Sequence, residues 1–286
     1  MMKKLLSNKR RTWVEQRKSA TIKGTTLANP ASVEDKYQKA LTKLVRQMKA
    51  LTEKELTKLY KTPDAKAYFT TDASIASQAK KLINSLTAKF DSMFGDVAGL
   101  LSERMVNGVN AESKAALGNS MKQLSGGMTV NTKVMSADLH ETVKASIAQN
   151  ALLIKTIPKD YLARVGGAVL RSVTTGQGMA DLMPQIQKYG DMTERKAKNV
   201  ALDQTRKAYN TINADRMKKV GIKKFEWIHS AGGLKPRQDH IEMSGNIYSF
   251  DDLPIIDQNT GERGIPGQAP NCKCTMRPVV VFDDEE

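Results

Sequence analysis

The sequence predicts an α+β protein, predominantly long α-helices followed by a small C-terminal module that contains β-strands. Three observations carry that expectation. Apolar residues recur at helical spacing through most of the chain before Gly221. Hydrophobic residues make up 40% and aromatics only 5%, which suits elongated helices better than a dense globule. From Phe225 onward the pattern changes to short alternating runs bounded by Gly, Pro and Asn.

Residues 1–30 read as a basic flexible arm. Lys3, Lys4, Lys9, Arg10, Arg11, Arg17 and Lys18 surround a single Trp13, and Gly24 to Pro30 has no period, so this stretch is expected to order only on a partner. A helix begins at Ser32, with Asp35 three residues on as a capping-box variant. Its stripe runs Val33, Tyr37, Leu41, Leu44, Met48 and Leu51. A second stripe follows, Ile75, Leu82, Leu86, Phe90, Phe94, Val97, Leu101 and Met105, so residues 31–146 are expected to form a helical hairpin or bundle. Leu124 to Thr132 has no stripe and two adjacent glycines, and reads as a break.

Helices return from Ser136. Pro158 is expected to end one of them, Tyr161 to Val173 forms a short amphipathic helix, and Thr175 to Gly178 is a turn before Met179 to Tyr189. A further helix, Thr193 to Val220, stops at Gly221. Residues 147–220 are thus helical, and 221–282 form a small α+β module. Phe225, Trp227 and His229 alternate with Glu226 and Ile228, Asn246 to Phe250 is a second candidate strand, and Cys274 to Phe282 is a third. An acidic tail, Asp283, Asp284, Glu285 and Glu286, follows.

The net charge is +15, and residues 1–60 hold fifteen Lys/Arg against five Asp/Glu, a local net of +10. Such an excess neutralises phosphates and favours nucleic acid or another acidic surface, although solvated Lys-rich helix faces give the same count. Two cysteines do not make a disulfide framework, which points to a reducing compartment. No secretory signal is expected, because Met-Met-Lys-Lys-Leu-Leu runs into Ser-Asn-Lys-Arg-Arg. No uncharged apolar run approaches about 18 residues, so no membrane span is expected.

One ordered set of residues resembles a known family. It runs Asn150, Leu153-Ile-Lys-Thr-Ile, Gly176-x-Gly178, Asp203-x-x-Arg206-x-x-x-Asn210, Gly221, Trp227, Arg237-x-x-His240-x-x-x-x-Gly245, Pro266-Gly267 and Pro270-Asn271-Cys272-Lys-Cys274-x-x-x-Pro278. Over residues 147–281 this is similar to the phage Mu F-type head morphogenesis family, the minor head proteins of tailed bacteriophages, with Asn210, Trp227, Arg237, Gly245 and Asn271 among its marks. The resemblance implies a structural virion protein inside the capsid near the portal, present in the host cytoplasm during assembly. The partners it implies are portal protein, major capsid or scaffolding protein and, through the arm, double-stranded DNA without sequence preference. The alternative is an internal DNA-binding protein ejected with the genome.

The only two cysteines form a Cys-x-Cys pair, and three readings compete for it. On an extended strand Cys272 and Cys274 would face the same side, Lys273 and Arg277 would favour thiolates, and His240 would be a third ligand for structural zinc, with His229 or Asp239 as the fourth. The thiols would otherwise be a redox pair, or two small buried side chains. His240 with Asp239, Glu242, Asn246 and the thiols also supplies the parts of a Cys-His nucleophile or a zinc- or thiol-dependent nuclease. No nucleophile elbow or Gly-rich phosphate loop accompanies them, so the chain is read as a structural protein rather than an enzyme. Trp227, alternating with its strand neighbours, reads as a core anchor rather than a base-stacking platform.

Overall fold

A computed structural model describes residues 21–61, 73–125, 137–231 and 236–281. Four long helices dominate it: α1 (Ala31–Tyr60), α2 (Ala73–Leu124), α3 (Ala137–Thr174) and α4 (Met179–Lys219). A one-turn helix α5 (Gln238–Glu242) lies among six strands: β1 (Thr21–Lys23), β2 (Lys224–Ile228), β3 (Ile247–Ser249), β4 (Ile255–Asp257), β5 (Glu262–Arg263) and β6 (Thr275–Val281). The α+β expectation is borne out. The chain divides into two compact units, one comprising residues up to 30, 109–143 and from 206 onward, the other 31–108 and 144–205. That division interleaves the sequence.

The helical unit is built on the stripe of α1. Tyr37, Leu41, Val45, Met48 and Leu56 are buried there, with Phe90 and Phe94 of α2 and Ile154, Ile157, Tyr161 and Val165 of α3. Polar groups inside are paired: Tyr37 Oη donates to Asn150 Oδ1 at 2.9 Å, and Asn150 Nδ2 donates to Ser102 Oγ at 3.1 Å. Burial pushes the Tyr37 hydroxyl well above its ordinary value, so it stays a donor.

Two expected breaks are absent. Helix α3 runs through Pro158, whose ring and missing N–H cost a helix interior about 3 kcal/mol. The fully buried Ile154, Ile157 and Tyr161 on either side outweigh that cost, since each contributes about 1.5–3 kcal/mol on burial. Helix α4 likewise joins the two segments expected as Met179–Tyr189 and Thr193–Val220, and Pro184 lies near its start. Ion pairs from α1 hold the junction. Arg46 grips Glu194 with two nitrogens, at 2.7 and 3.2 Å, and Lys49 reaches Asp191 at 2.7 Å.

The Arg46 guanidinium, helped by Lys198, holds the Glu194 carboxyl at about 2, below its ordinary 4.5. A depressed carboxylate stabilises the fold above its unfolded value and loses that contribution as pH falls through the folded one. Wild type is therefore expected to lose an increment of stability between pH 4.5 and about 2 that Glu194→Gln lacks. Urea midpoints of both proteins across that window measure it. Solvent screening of the pair keeps the increment under about 1 kcal/mol.

In the other unit the strands form an antiparallel sheet in the order β1-β6-β2-β3, beside a two-stranded ribbon β4-β5. Helix α4 ends as foreseen at Gly221. The Ile222 N–H reaches the Met217 carbonyl and the Gly221 N–H the Lys218 carbonyl, which closes the last turn and launches β2. The end of the expected basic arm is a correction. Residues 21–23 pair with 279–281, and Leu27 is fully buried with its N–H on the Met276 carbonyl. Thr25 donates its N–H to Ser120 Oγ at 2.9 Å. The stretch looks irregular in sequence because only three residues form a strand, and Gly24, Leu27 and Pro30 are buried at three-residue spacing rather than in alternation.

The sheet buries a charge. Glu226 accepts from Arg277, its partner across the β2-β6 ladder, at 3.2 Å and from Lys23 of β1 at 3.1 Å. Arg277 also donates to Thr26 Oγ1. Pro278 occupies a central strand without harm. Its carbonyl accepts from the Gly24 N–H, so its nitrogen also faces the end of the short β1 ladder, where a missing donor costs little.

Candidate metal centre

Three segments of the sheet unit converge on one point. His229 follows the end of β2 and donates its backbone N–H to Ser244 Oγ at 3.1 Å. His240 lies on α5, whose first turn is organised by Asp239 Oδ1 accepting the His240 N–H at 2.9 Å. Cys272 and Cys274 lie just before β6, in a turn rather than on the strand. The Cys272 N–H bonds the Ala269 carbonyl at 3.0 Å, and Asn271 turns the chain with φ 58°. Asn tolerates that left-handed conformation better than most residues, which explains its place before the pair.

His240 is 2% exposed, Cys272 4% and Cys274 2%. His240 Nδ1 stands 3.4 Å from Cys272 Sγ and 3.8 Å from Cys274 Sγ, and His229 Nδ1 is 3.5 Å from Cys274 Sγ. On the far side of the imidazole, Nε2 lies 3.0 Å from the Ile256 carbonyl of β4. A carbonyl only accepts, so Nε2 carries the proton and Nδ1 of the neutral ring offers its lone pair to the sulfurs. Trp227, fully buried, packs edge-on against His240 with ring centres 5.2 Å apart and limits the ring's tilt.

The sulfurs are unequal. A hydrogen bond from the Cys274 thiol, then one from His240 Nδ1 when the ring is protonated, with further backbone N–H bonds from Cys274 and Gly267, draws the Cys272 thiol down to about 4 against the opposing effect of burial. The neighbouring Cys272 sulfur and burial push Cys274 up, and Cys272 raises His240 above its ordinary value. The cluster thus favours a Cys272 thiolate facing an imidazolium, or equally a thiolate and imidazole facing a soft cation.

Arg277 plays no part in this, contrary to the sequence reading. Cys274 and Met276 fall on one side of the alternating chain and Arg277 on the other, where it meets Glu226. The fourth-ligand options separate too. Asp239 Oδ1 accepts the His240 N–H within α5, while His229 reaches Cys274. Glu242 accepts from Gln238 at 3.1 Å and Asn246 bonds the Glu242 carbonyl, so the acidic parts of a nuclease are turned into their own loop.

The remaining marks are architectural. Asn210 of α4, fully buried, accepts from Thr275 Oγ1 at 3.4 Å and donates to the Arg206 carbonyl. Gly267 passes so close that an added Cβ would lie 2.5 Å from Asn210 Nδ2. Arg237 caps α5 and donates to the Pro270 carbonyl at 3.1 Å, joining the two loops of the cluster. Gly245, at φ 86°, turns the chain so that its N–H reaches the Trp227 carbonyl at 2.8 Å. Trp227 is a core anchor, as expected. Lys3, Lys4, Lys9, Arg10, Arg11, Arg17 and Lys18 lie outside the described residues.

Fold and cluster together define a long-helical protein carrying a small sheet module closed by a His/Cys group. Residues 163–277 match the family model of the Phage Mu protein F like proteins, which bears out the resemblance drawn from the sequence. An uncharacterized protein of Haemophilus influenzae is 29% identical over 246 residues, covering 85% of this chain. The chain spans about half, 52%, of that relative's length. No solved structure matches the chain.

Proposed function

We propose that this protein is a minor head protein of a tailed bacteriophage, docking near the portal inside the head and contacting packaged DNA. The observation that carries this reading is the family match over residues 163–277, which spans the α4 end, the sheet and the His/Cys cluster. The sheet module is a scaffold of buried anchors and loop braces, suited to presenting a rigid surface to portal or capsid protein. Among the described residues no helix is long and apolar enough to cross a membrane.

Support for DNA contact extends beyond the basic arm. On α1 of the helical unit a groove is lined by Gln38, Lys39, Thr42, Lys43, Arg46 and, from α4, Lys198. Lys39 and Lys43 are one turn apart on the same exposed face. Lys39 also pairs with Asp35, and Arg46 and Lys198 with Glu194, so phosphate oxygens at this row of cations and neutral donors would share or displace those carboxylates.

Two experiments on the full chain test the reading. Procapsids assembled with portal should retain the protein, and procapsids assembled without it should not. Equal retention would place the docking surface elsewhere. Binding to duplex DNA should be independent of sequence and weaken steeply with salt, and Lys39→Gln with Lys43→Gln should flatten the log-log salt slope by about two, one counterion per lost phosphate contact. An unchanged slope would remove the groove from the DNA surface.

A further inference from the structure

We infer that the sheet unit contains a four-ligand structural metal site of the zinc class, formed by Cys272, Cys274, His240 and His229. The inference stands independently of the head-protein reading. Its basis is geometry together with donor chemistry. The ligand atoms of His240, Cys272 and Cys274 all lie within 4.8 Å of one another. A nitrogen and a sulfur bound to one tetrahedral ion, with bonds of about 2.0–2.3 Å, stand about 3.5 Å apart. The observed nitrogen–sulfur separations of 3.4, 3.8 and 3.5 Å bracket that value.

Orientation adds a second argument. The Ile256 carbonyl fixes the proton of His240 on Nε2, the outer-sphere bond that holds a metal-bound imidazole in its tautomer and plane. Trp227 packs against the same ring. The His240 nitrogen that faces the sulfurs is therefore the one able to ligate. Two sulfurs and an imidazole, all buried, with a second imidazole at the edge of the cluster, select zinc over the oxygen-seeking cations.

His229 decides what kind of site this is. With three ligands the fourth position would belong to water, and the centre would resemble a hydrolytic one. His229 approaches from the end of β2 through Cys274, and a turn of its half-buried side chain completes the set. The closed centre then links the β2 end, α5 and the turn before β6, three segments that backbone pairing alone joins only in part. It supplies cross-linking energy to a thin core, and no chemistry.

Elemental analysis and cobalt substitution of the full chain test the assignment. One metal per chain is expected, with a cobalt spectrum showing thiolate charge transfer and the strong visible bands of four-coordination. Chelation should lower the melting temperature. His229→Ala, at a half-buried position, is expected to fold, to bind zinc more than about 100-fold more weakly, and to show cobalt bands moved toward five-coordination as water enters. Less than about one zinc per ten chains after incubation with zinc would overturn the site. A cobalt spectrum and affinity unchanged in His229→Ala would overturn the four-ligand assignment. Because metal content is read on wild type, misfolding of the His229→Ala protein cannot obscure that outcome.

Discussion

Truncation of the chain at residue 30 is expected to unfold the C-terminal sheet, a far larger effect than shedding positive charge. The deletion removes β1, the Lys23 partner of Glu226, and Leu27, whose carbonyl accepts the Thr275 hydroxyl. Glu226 is left nearly buried with Arg277 alone, and β6 gains an open edge. The truncated protein loses Trp13, so Trp227 becomes its sole tryptophan and a direct reporter of the module's core. Its emission should shift to the red and its melting transition should broaden or vanish. In the intact chain, Leu27→Ala alone should cost about 2–5 kcal/mol, the range for emptying a fully buried leucine site. A cost under about 1 kcal/mol, with unchanged Trp227 emission in the truncation, would return residues 21–30 to the role of a loose arm. Fragments starting near residue 147 should fail to fold for the same reason, since they lack β1 and residues 109–143 of the same unit.

The second large effect is expected at Trp227. Its ring is fully buried, faces Met276 across the β2-β6 ladder, and abuts His240 and Tyr248 edge-on. Trp227→Ala should cost about 3–5 kcal/mol, read as a fall in the urea midpoint of the full chain. Trp227→Phe should recover more than half of the loss, because the ring that positions His240 is partly restored. Equal losses in the two variants would mean that a smaller aromatic ring restores nothing, and would overturn the view that ring packing against His240 carries the effect.

Much of this fold was legible because burial follows simple periods. The α1 stripe from Tyr37 to Met48 and the Gly221 stop each have one physical cause and appear where expected, whereas Glu226, which alternation puts on the open side of β2, is buried with Arg277 and Lys23. Features that depend on distant partners were not legible. Pro158 reads locally as an end, and only the buried Ile154, Ile157 and Tyr161 reveal that packing carries the helix through it. Thr21 to Lys23 has no signal of its own, and becomes a strand because Val279 to Val281 offers a free edge. The ribbon of Ile255–Asp257 and Glu262–Arg263 is too short for any alternation to register. Within the cluster, Cys272, Cys274 and His240 were evident from residue type, and His229 stood among two options for the fourth position. The choice of His229 over Asp239 rests on two local contacts invisible in the sequence, Asp239 Oδ1 on the His240 N–H and His229 Nδ1 beside Cys274 Sγ. Arg277 was misassigned because strand parity, not proximity in sequence, decides which side it faces.

The pairing of Thr21 with Val281 joins residues 260 positions apart. During synthesis the β1 segment emerges from the ribosome early and then waits while everything it must pair with is still being made, an interval of roughly 13–50 s at about 5–20 residues per second. Contacts of such separation are slow to form, because loop closure is costly before any pairing rewards it. The long helices can form while the chain is growing, whereas the sheet can close only after residue 281 has been released from the exit tunnel. Completion of the module therefore comes late, after every helix has been made. A nascent chain spends most of its synthesis with β1 unpaired and the Val-rich β6 absent, the period in which a chaperone or an assembly partner has access to it.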